Sequence, residues 1–186
     1  MKRLFDLFIS LTLLAILFLP MVLIFIIVKS FSEGPGIHRS KRIGKDGNIF
    51  IMLKFRTMFI GTPNLASHLL NNSSNCITPF GRFLRKYSLD ELPQLLNVIK
   101  GEMSFVGPRP ALFNQYDLIE LRNKKNIHSI LPGITGLAQV SGRDDLSIKE
   151  KVLLDSEYFE KMNFFLDIKI LFITFLNVIR KKNISH

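Results

Sequence analysis

The sequence predicts an α/β protein, mostly helical with a small β-sheet, made of a membrane-embedded N-terminal helix (residues 1–33) and a compact domain (residues 34–186). Three observations predict it. Residues 7–28 form an apolar run without a charge, broken only by Ser10 and Thr12, and long enough for a membrane helix. Helical apolar spacing recurs afterwards, as in Leu92, Leu95, Leu96 and Ile99. The strand candidates between such segments, residues 49–58 and 103–106, are few and short.

Composition narrows the function. A net charge of +10 over 186 residues points to anionic partners such as phosphorylated small molecules or lipid headgroups. Nucleic acid fits poorly, because no helix-turn-helix, zinc-finger or aromatic RNP pattern is present and the cations are spread among apolar segments. The single Cys76 excludes an internal disulfide framework and a zinc spacing. His38, His68, His128 and His186 are scattered without a ligand motif and read as surface or loop residues.

The N-terminal run is divided by Pro20. Its arms, residues 7–19 and 21–28, reach about 20 and about 12 Å as helices, and neither alone spans a hydrocarbon core of about 30 Å. Lys2 and Arg3 precede the run, while Lys29, Arg39, Lys41 and Arg42 follow it. Positive charge at both ends suits a re-entrant helix bent near Pro20, which returns to the face it entered from. A straight crossing stays open on pattern alone. Asp6 needs a basic partner such as Arg3, or a headgroup.

Gly34-Pro35-Gly36 makes a turn, and residues 41–47 read as a basic, hairpin-like loop. Residues 49–58 form a strand candidate in which Lys54 and Arg56 alternate with apolar residues. Residues 60–77 read as a surface connection with one short helix around 65–70. Thr78 as cap and Pro79 at the first helical position then open a basic helix through Lys86.

The next helix carries the chemistry. Ser88 and Glu91 have capping-box spacing, Pro93 suits a first turn, and Gly101 is a natural stop. Asp90 and Glu91 thus fall where a helix start favours anions. An acidic first turn that only stabilises its helix explains such a pair in isolation. The cations around it, Arg82, Arg85 and Lys86 before and Arg109 after, change that reading. Carboxylates ringed by cations can bind a metal with phosphates, or carry a phosphoryl group.

Gly107-Pro108-Arg109-Pro110 fixes the direction of a cation between two prolines. Residues 116–124 read as a helix. Residues 131–143 read as loop, short strand and loop, with glycines able to bring backbone N–H groups near a phosphate. A helix over residues 147–162 follows. Residues 164–179 present a broad apolar face, and the basic end Arg180-Lys181-Lys182 suits an anionic leaflet; an interfacial helix and a core helix are both open.

Taken together, Lys2-Arg3-Leu4-Phe5-Asp6, Lys54-Phe55-Arg56-Thr57-Met58, Ser88-Leu89-Asp90-Glu91-Leu92-Pro93-Gln94-Leu95, Gly107-Pro108-Arg109-Pro110 and Pro132-Gly133-Ile134-Thr135-Gly136 resemble the bacterial sugar transferase family, the monotopic polyprenyl-phosphate phosphoglycosyl transferases. Five motifs in order, over nearly the whole chain, are specific, and the length resembles the family's minimal catalytic form. The resemblance implies that Mg²⁺ and a UDP-sugar of N-acetylhexosamine type bind, and that Asp90 takes the phosphosugar and expels UMP. Polyprenyl (undecaprenyl) phosphate then accepts the phosphosugar, the first membrane step of a surface glycan. It further implies Glu91 as a catalytic or metal-binding residue, and Arg85, Arg109, Gln139 and Arg143 as holders of phosphate or nucleotide. Lys54 and Arg56 are expected near the membrane-side opening.

The family also implies the re-entrant helix, interfacial amphipathic helices and a catalytic domain on the cytoplasmic face of the bacterial inner membrane. Leu19 stands where relatives often have Ser before the proline, and the acidic residues common before Thr78 are missing. Homo-oligomerisation is left open. A membrane-surface adaptor that binds anionic lipid is the non-catalytic alternative, but it has no need of carboxylates inside a cationic pocket. A glycoside hydrolase fits poorly, since adjacent carboxylates at a helix start do not flank a scissile bond.

Overall fold

The structure is a computed structural model and describes residues 2–62, 76–142 and 145–180. The expected short helix at 65–70 and the candidate Arg143 lie outside the described residues. The first element, α1 (Lys2–Phe31), runs helically through Pro20. Its apolar surface stays largely exposed, and only Asp6, Ser10 and Val28 are buried. It is long and apolar enough to cross a membrane.

Both ends of α1 are fastened to the rest of the chain by different chemistry. At the start, Arg3 donates to the Val98 and Ile99 carbonyls. Asp6 accepts from the Ser104 hydroxyl at 2.8 Å and the Phe105 N–H at 3.3 Å. Its partner is therefore a strand, where the sequence suggests Arg3 or a headgroup. Lys2 pairs with Asp167, which also accepts from the Tyr158 hydroxyl at 2.6 Å. Near the other end, Val28 is buried with Phe55 and Leu84, and Met21 and Ile24 pack beside them.

Instead of one small sheet there are two, each of two strands. β1 (Ile37–Ile43) pairs antiparallel with β2 (Ile49–Phe55) in a hairpin. The strand thus takes in residues 41–43, which read as loop in the sequence. Asp46 and Gly47 both have positive φ (55° and 76°), the Asp-Gly chemistry that lets strands reverse tightly. β3 (Ser104–Val106) pairs in parallel with β4 (Gly133–Thr135).

The helices are α2 (Pro79–Lys86), α3 (Gln94–Lys100), α4 (Tyr116–Lys124), α5 (Leu137–Ser141), α6 (Ile148–Lys161) and α7 (Phe164–Arg180). Thr78 caps α2, Gly101 ends α3 at φ 84°, and α6 opens with a capping box between Ser147 and Glu150. Residues 137–141, expected as loop, form α5. The main core joins Phe50 and Met52 of β2, Leu95 and Val98 of α3, Phe105 and Val106 of β3, Tyr158 of α6 and Ile170 of α7. α7 gives one face to the core through Ile170 and buries Asp167, and it turns Phe165, Phe172, Phe175 and Ile179 outward.

Candidate active site

The site begins with a period-two pattern on β2. Phe50, Met52 and Lys54 share one face; the first two enter the core and Lys54 follows them inward. Asn97, fully buried on α3, holds β2 there: its Oδ1 accepts from the Leu53 N–H at 3.0 Å and its Nδ2 donates to the Ile51 carbonyl at 2.7 Å. β2 and the carboxylate segment are thereby held in a fixed relation.

The carboxylate segment itself differs from the expected helix start. Ser88 takes the left-handed conformation (φ 54°) and caps nothing with its side chain. It turns the chain from α2 into a 3-10 turn, Leu89–Glu91, and α3 begins after Pro93. The turn leaves both Asp90 and Glu91 buried, at 8% and 9% exposure. Gly81 explains how α2 comes so close: a Cβ there would lie 2.3 Å from the Thr57 carbonyl oxygen. With α2 seated, Arg85 donates to the Thr57 hydroxyl at 2.9 Å, while Arg82 and Lys86 face outward.

Lys54 Nζ lies 2.7 Å from Glu91 Oε1 and 3.8 Å from Asp90 Oδ2. Arg109 Nη2 reaches the same Glu91 oxygen at 3.1 Å. Lys54 therefore stands between the two carboxylates, at the centre of the site. Burial pushes the Asp90 carboxyl above the ordinary range and the neighbouring Glu91 charge adds to this, against the pull of Lys54, Arg85 and Arg109. Burial also lowers the Lys54 ammonium, although Glu91 works to keep it charged.

The loop that carries Arg109 is set by close backbone packing. A Cβ on Gly133 would meet the Gly107 nitrogen at 2.1 Å, and one on Gly136 the Gly107 carbonyl oxygen at 2.2 Å. These glycines let β4 and the residue after it pack directly against the Gly107 backbone. Arg122 donates to the Arg109 carbonyl at 2.8 Å and is held by Asp155 through two bonds of 2.6 and 3.0 Å. Arg42, from the end of β1, donates to the Pro110 carbonyl at 3.1 Å. Sequence reading missed Arg42, Thr57, Asn97 and the Arg122–Asp155 pair as supports of the site.

Gln139, on α5, lines one cleft with Glu91 and Arg109, and its amide atoms are buried with no partner among the described residues. Arg56 is not brought to the carboxylates; its Nε donates to the Pro35 carbonyl at 2.8 Å. His38 lies on β1 opposite Lys54, not in a loop, and burial followed by Arg56 and Arg42 lowers its imidazole. Among the described residues no three His, Cys, Asp or Glu side chains cluster for a metal. Two adjacent carboxylates do fit Mg²⁺, which usually takes one or two and completes its shell with substrate phosphates and water.

Buried carboxylates among cations, beside a long apolar helix, are an arrangement suited to anionic groups. Comparison with known proteins agrees. The family model "Bacterial sugar transferase" matches residues 1–181. The chain is 39% identical over 185 residues to the uncharacterized sugar transferase EpsL of Bacillus subtilis (strain 168), covering 100% of this chain and 90% of that protein. It is 38% identical to the exopolysaccharide production protein ExoY of Rhizobium meliloti (strain 1021), over 93% of this chain and 83% of that one. It is 37% identical to the undecaprenyl-phosphate galactose phosphotransferase of Salmonella typhimurium, over 97% of this chain but only 41% of that longer protein. The chain belongs to the bacterial sugar transferase family, and it is an enzyme of the phosphoglycosyl transferase class.

Proposed function

We propose that the protein transfers a sugar 1-phosphate from a UDP-sugar to polyprenyl (undecaprenyl) phosphate, with Asp90 as the nucleophile. An Asp90 oxygen attacks the sugar-bearing phosphorus, the bond to UMP breaks, and UMP leaves with the electron pair. An oxygen of the polyprenyl phosphate next attacks the same phosphorus; the bond to Asp90 breaks and the carboxylate is restored. Charge balances in both steps without a proton transfer. The observation that carries the reading is the buried Asp90–Glu91 pair, bridged by Lys54 and met at Glu91 by Arg109. Such fixed cations stabilise charge on a transferring phosphoryl group.

Asp90 and Glu91 would hold Mg²⁺ together with the donor phosphates, and the ion would offset phosphate repulsion. The relative named for galactose phosphotransfer favours a hexose donor over the N-acetylhexosamine expected from the resemblance. Membrane association through α1 and a re-entrant path are part of this reading. Lys2, Arg3 and Asp6 at one end of α1, and Val28 at the other, are held by the same domain. A straight crossing of about 30 Å of hydrocarbon would carry one end away from it. Outward Phe165, Phe172 and Phe175 on α7 agree with an interfacial helix. We place the catalytic domain on the cytoplasmic face of the inner membrane, where nucleotide sugars are made.

The test is UMP release by detergent-solubilised protein supplied with polyprenyl phosphate, Mg²⁺ and a panel of UDP-sugars. One or a few donors are expected to give UMP together with a lipid-linked product. Release of free sugar 1-phosphate without lipid product would contradict the reading.

A further inference from the structure

Away from the carboxylates, a second pair of cations stands where the chain leaves α1. The turn Gly34-Pro35-Gly36 is gripped there from both sides. Lys29 Nζ, from the last turn of α1, donates to the Gly34 carbonyl at 3.0 Å. Arg56, just past β2, donates from Nε to the Pro35 carbonyl at 2.8 Å and from its backbone N–H to the Gly36 carbonyl at 2.9 Å. Apolar side chains press on the same turn. A Cβ at Gly34 would lie 2.6 Å from Ile60 Cδ1, and one at Gly36 would lie 2.8 Å from the Phe25 ring. Phe25 and Ile60 are nevertheless exposed, as are Phe31 and Phe59 beside them in the chain.

These cations differ from those of the active site. Lys54, Arg109 and Arg122 each meet a carboxylate within 3.1 Å. Among the described residues neither Lys29 nor Arg56 pairs with a carboxylate, and the two terminal nitrogens of Arg56 have no partner. Glu33 is the single acid between Leu7 and Lys45, against Lys29, Arg39, Lys41, Arg42 and Lys45. Unpaired cations beside exposed hydrocarbon fit a ligand with the same two parts, an anionic head and an apolar tail. A soluble phosphate would leave Phe31 and Ile60 in water; a neutral hydrocarbon would leave the cations unanswered. The place agrees as well, since the corner continues the exposed apolar surface of α1, which is long and apolar enough to cross a membrane.

We propose that this corner binds one anionic phospholipid, its phosphate between Lys29 Nζ and the terminal nitrogens of Arg56, and its acyl carbons against Phe31 and Ile60. A planar guanidinium takes two phosphate oxygens at once, and the lysine adds a point charge. The site needs α1 to lie in a membrane, but it does not depend on the transfer chemistry.

Native mass spectrometry tests it by counting lipid retained on the protein in dodecyl maltoside. The probes are dioleoyl phosphatidylglycerol, dioleoyl phosphatidylcholine and glycerol 3-phosphate. One phosphatidylglycerol should bind at a concentration at least tenfold below that needed for phosphatidylcholine, and glycerol 3-phosphate should not compete. Lys29→Gln with Arg56→Gln should raise the half-saturating phosphatidylglycerol concentration at least tenfold, since each cation at a charged lipid surface is worth about fivefold. Arg39→Gln with Lys41→Gln, exposed farther along β1, should leave it within twofold. Equal retention of both lipids, or an equal loss in the two double variants, would overturn the proposal, because diffuse attraction would then explain the binding. Competition by glycerol 3-phosphate would overturn it too, and so would displacement by polyprenyl phosphate, which would put the lipid at the carboxylates. If the Lys29 and Arg56 double variant loses its melting transition, Lys29→Gln alone carries the same test with a threefold expected rise.

Discussion

Two buried carboxylates of this molecule face the same electrostatic problem and meet it differently. Asp155 and Asp90 are both pushed upward in pKa, first of all by burial. Asp155 is answered by Arg122 through two short bonds to one oxygen, and the pair is sealed from solvent. Asp90 has one ion pair among the described residues, a 3.8 Å approach by a lysine that sits closer to Glu91. The first arrangement is saturated and holds a loop in place. The second is under-compensated, which suits the bond to phosphorus proposed for Asp90. Burial does not distinguish the two carboxylates; their pairing does.

Substitutions at Asp90 and at Arg122, the partner of Asp155, should separate the two carboxylates. Asp90→Asn should lower UMP formation by at least about a thousandfold without lowering thermal stability. The sign follows from the shift. A carboxyl whose folded pKa is raised favours folding below its unfolded value and loses that contribution as pH rises through the folded value. At neutral pH the ionised Asp90 therefore opposes folding, and the asparagine variant should be more stable by about 0.5–2 kcal/mol. A calorimetric melt beside the activity assay checks both; a clear drop in Tm would mean Asp90 is a structural partner of Lys54.

Arg122→Ala should do the reverse. It leaves Asp155 buried without its cation, a loss of about 3–5 kcal/mol, and frees the Arg109 carbonyl from its donor. Denaturant unfolding should show the loss, and activity should fall only in step with it or through weaker acceptor use. Stability within 1 kcal/mol of wild type, roughly the value of an exposed pair, would place Asp155 and Arg122 outside the frame that holds the site.

A smaller effect should appear in pH profiles. As the proposed nucleophile Asp90 must be ionised, and burial holds it above the ordinary aspartate value of 3.8. The acid limb of kcat/KM should therefore lie higher than that value. Glu91→Gln removes a neighbouring charge that raises Asp90 and leaves Lys54 to pair with it, so the limb should move to lower pH. A limb that stays put, or rises, would assign it to another group.

Much of this could be read from sequence where one residue carries the meaning alone. The apolar run, the Thr78-Pro79 helix start, Gly101 and the Asp90-Glu91 pair among cations depend on local chemistry. What was hidden depends on partners distant in the chain. β1 has no apolar alternation of its own and exists because β2 pairs with it. Leu137–Ser141 is too short to announce itself as a helix. Asp6 finds Ser104, and Arg122 finds Asp155, across separations no pattern encodes. Lys54 was legible as a site residue, and its inward direction followed too: it continues the face of Phe50 and Met52, where a cation needs an anionic partner.

Intact-protein mass spectrometry would detect the proposed covalent bond between Asp90 and the phosphosugar. The protein is incubated with Mg²⁺ and the active UDP-sugar, without acceptor, and quenched rapidly. The expected result is an added mass equal to one sugar phosphate, located on Asp90, absent from Asp90→Asn and discharged when polyprenyl phosphate is supplied. UMP released with no adduct at any quench time, or an adduct that persists in Asp90→Asn, would contradict it.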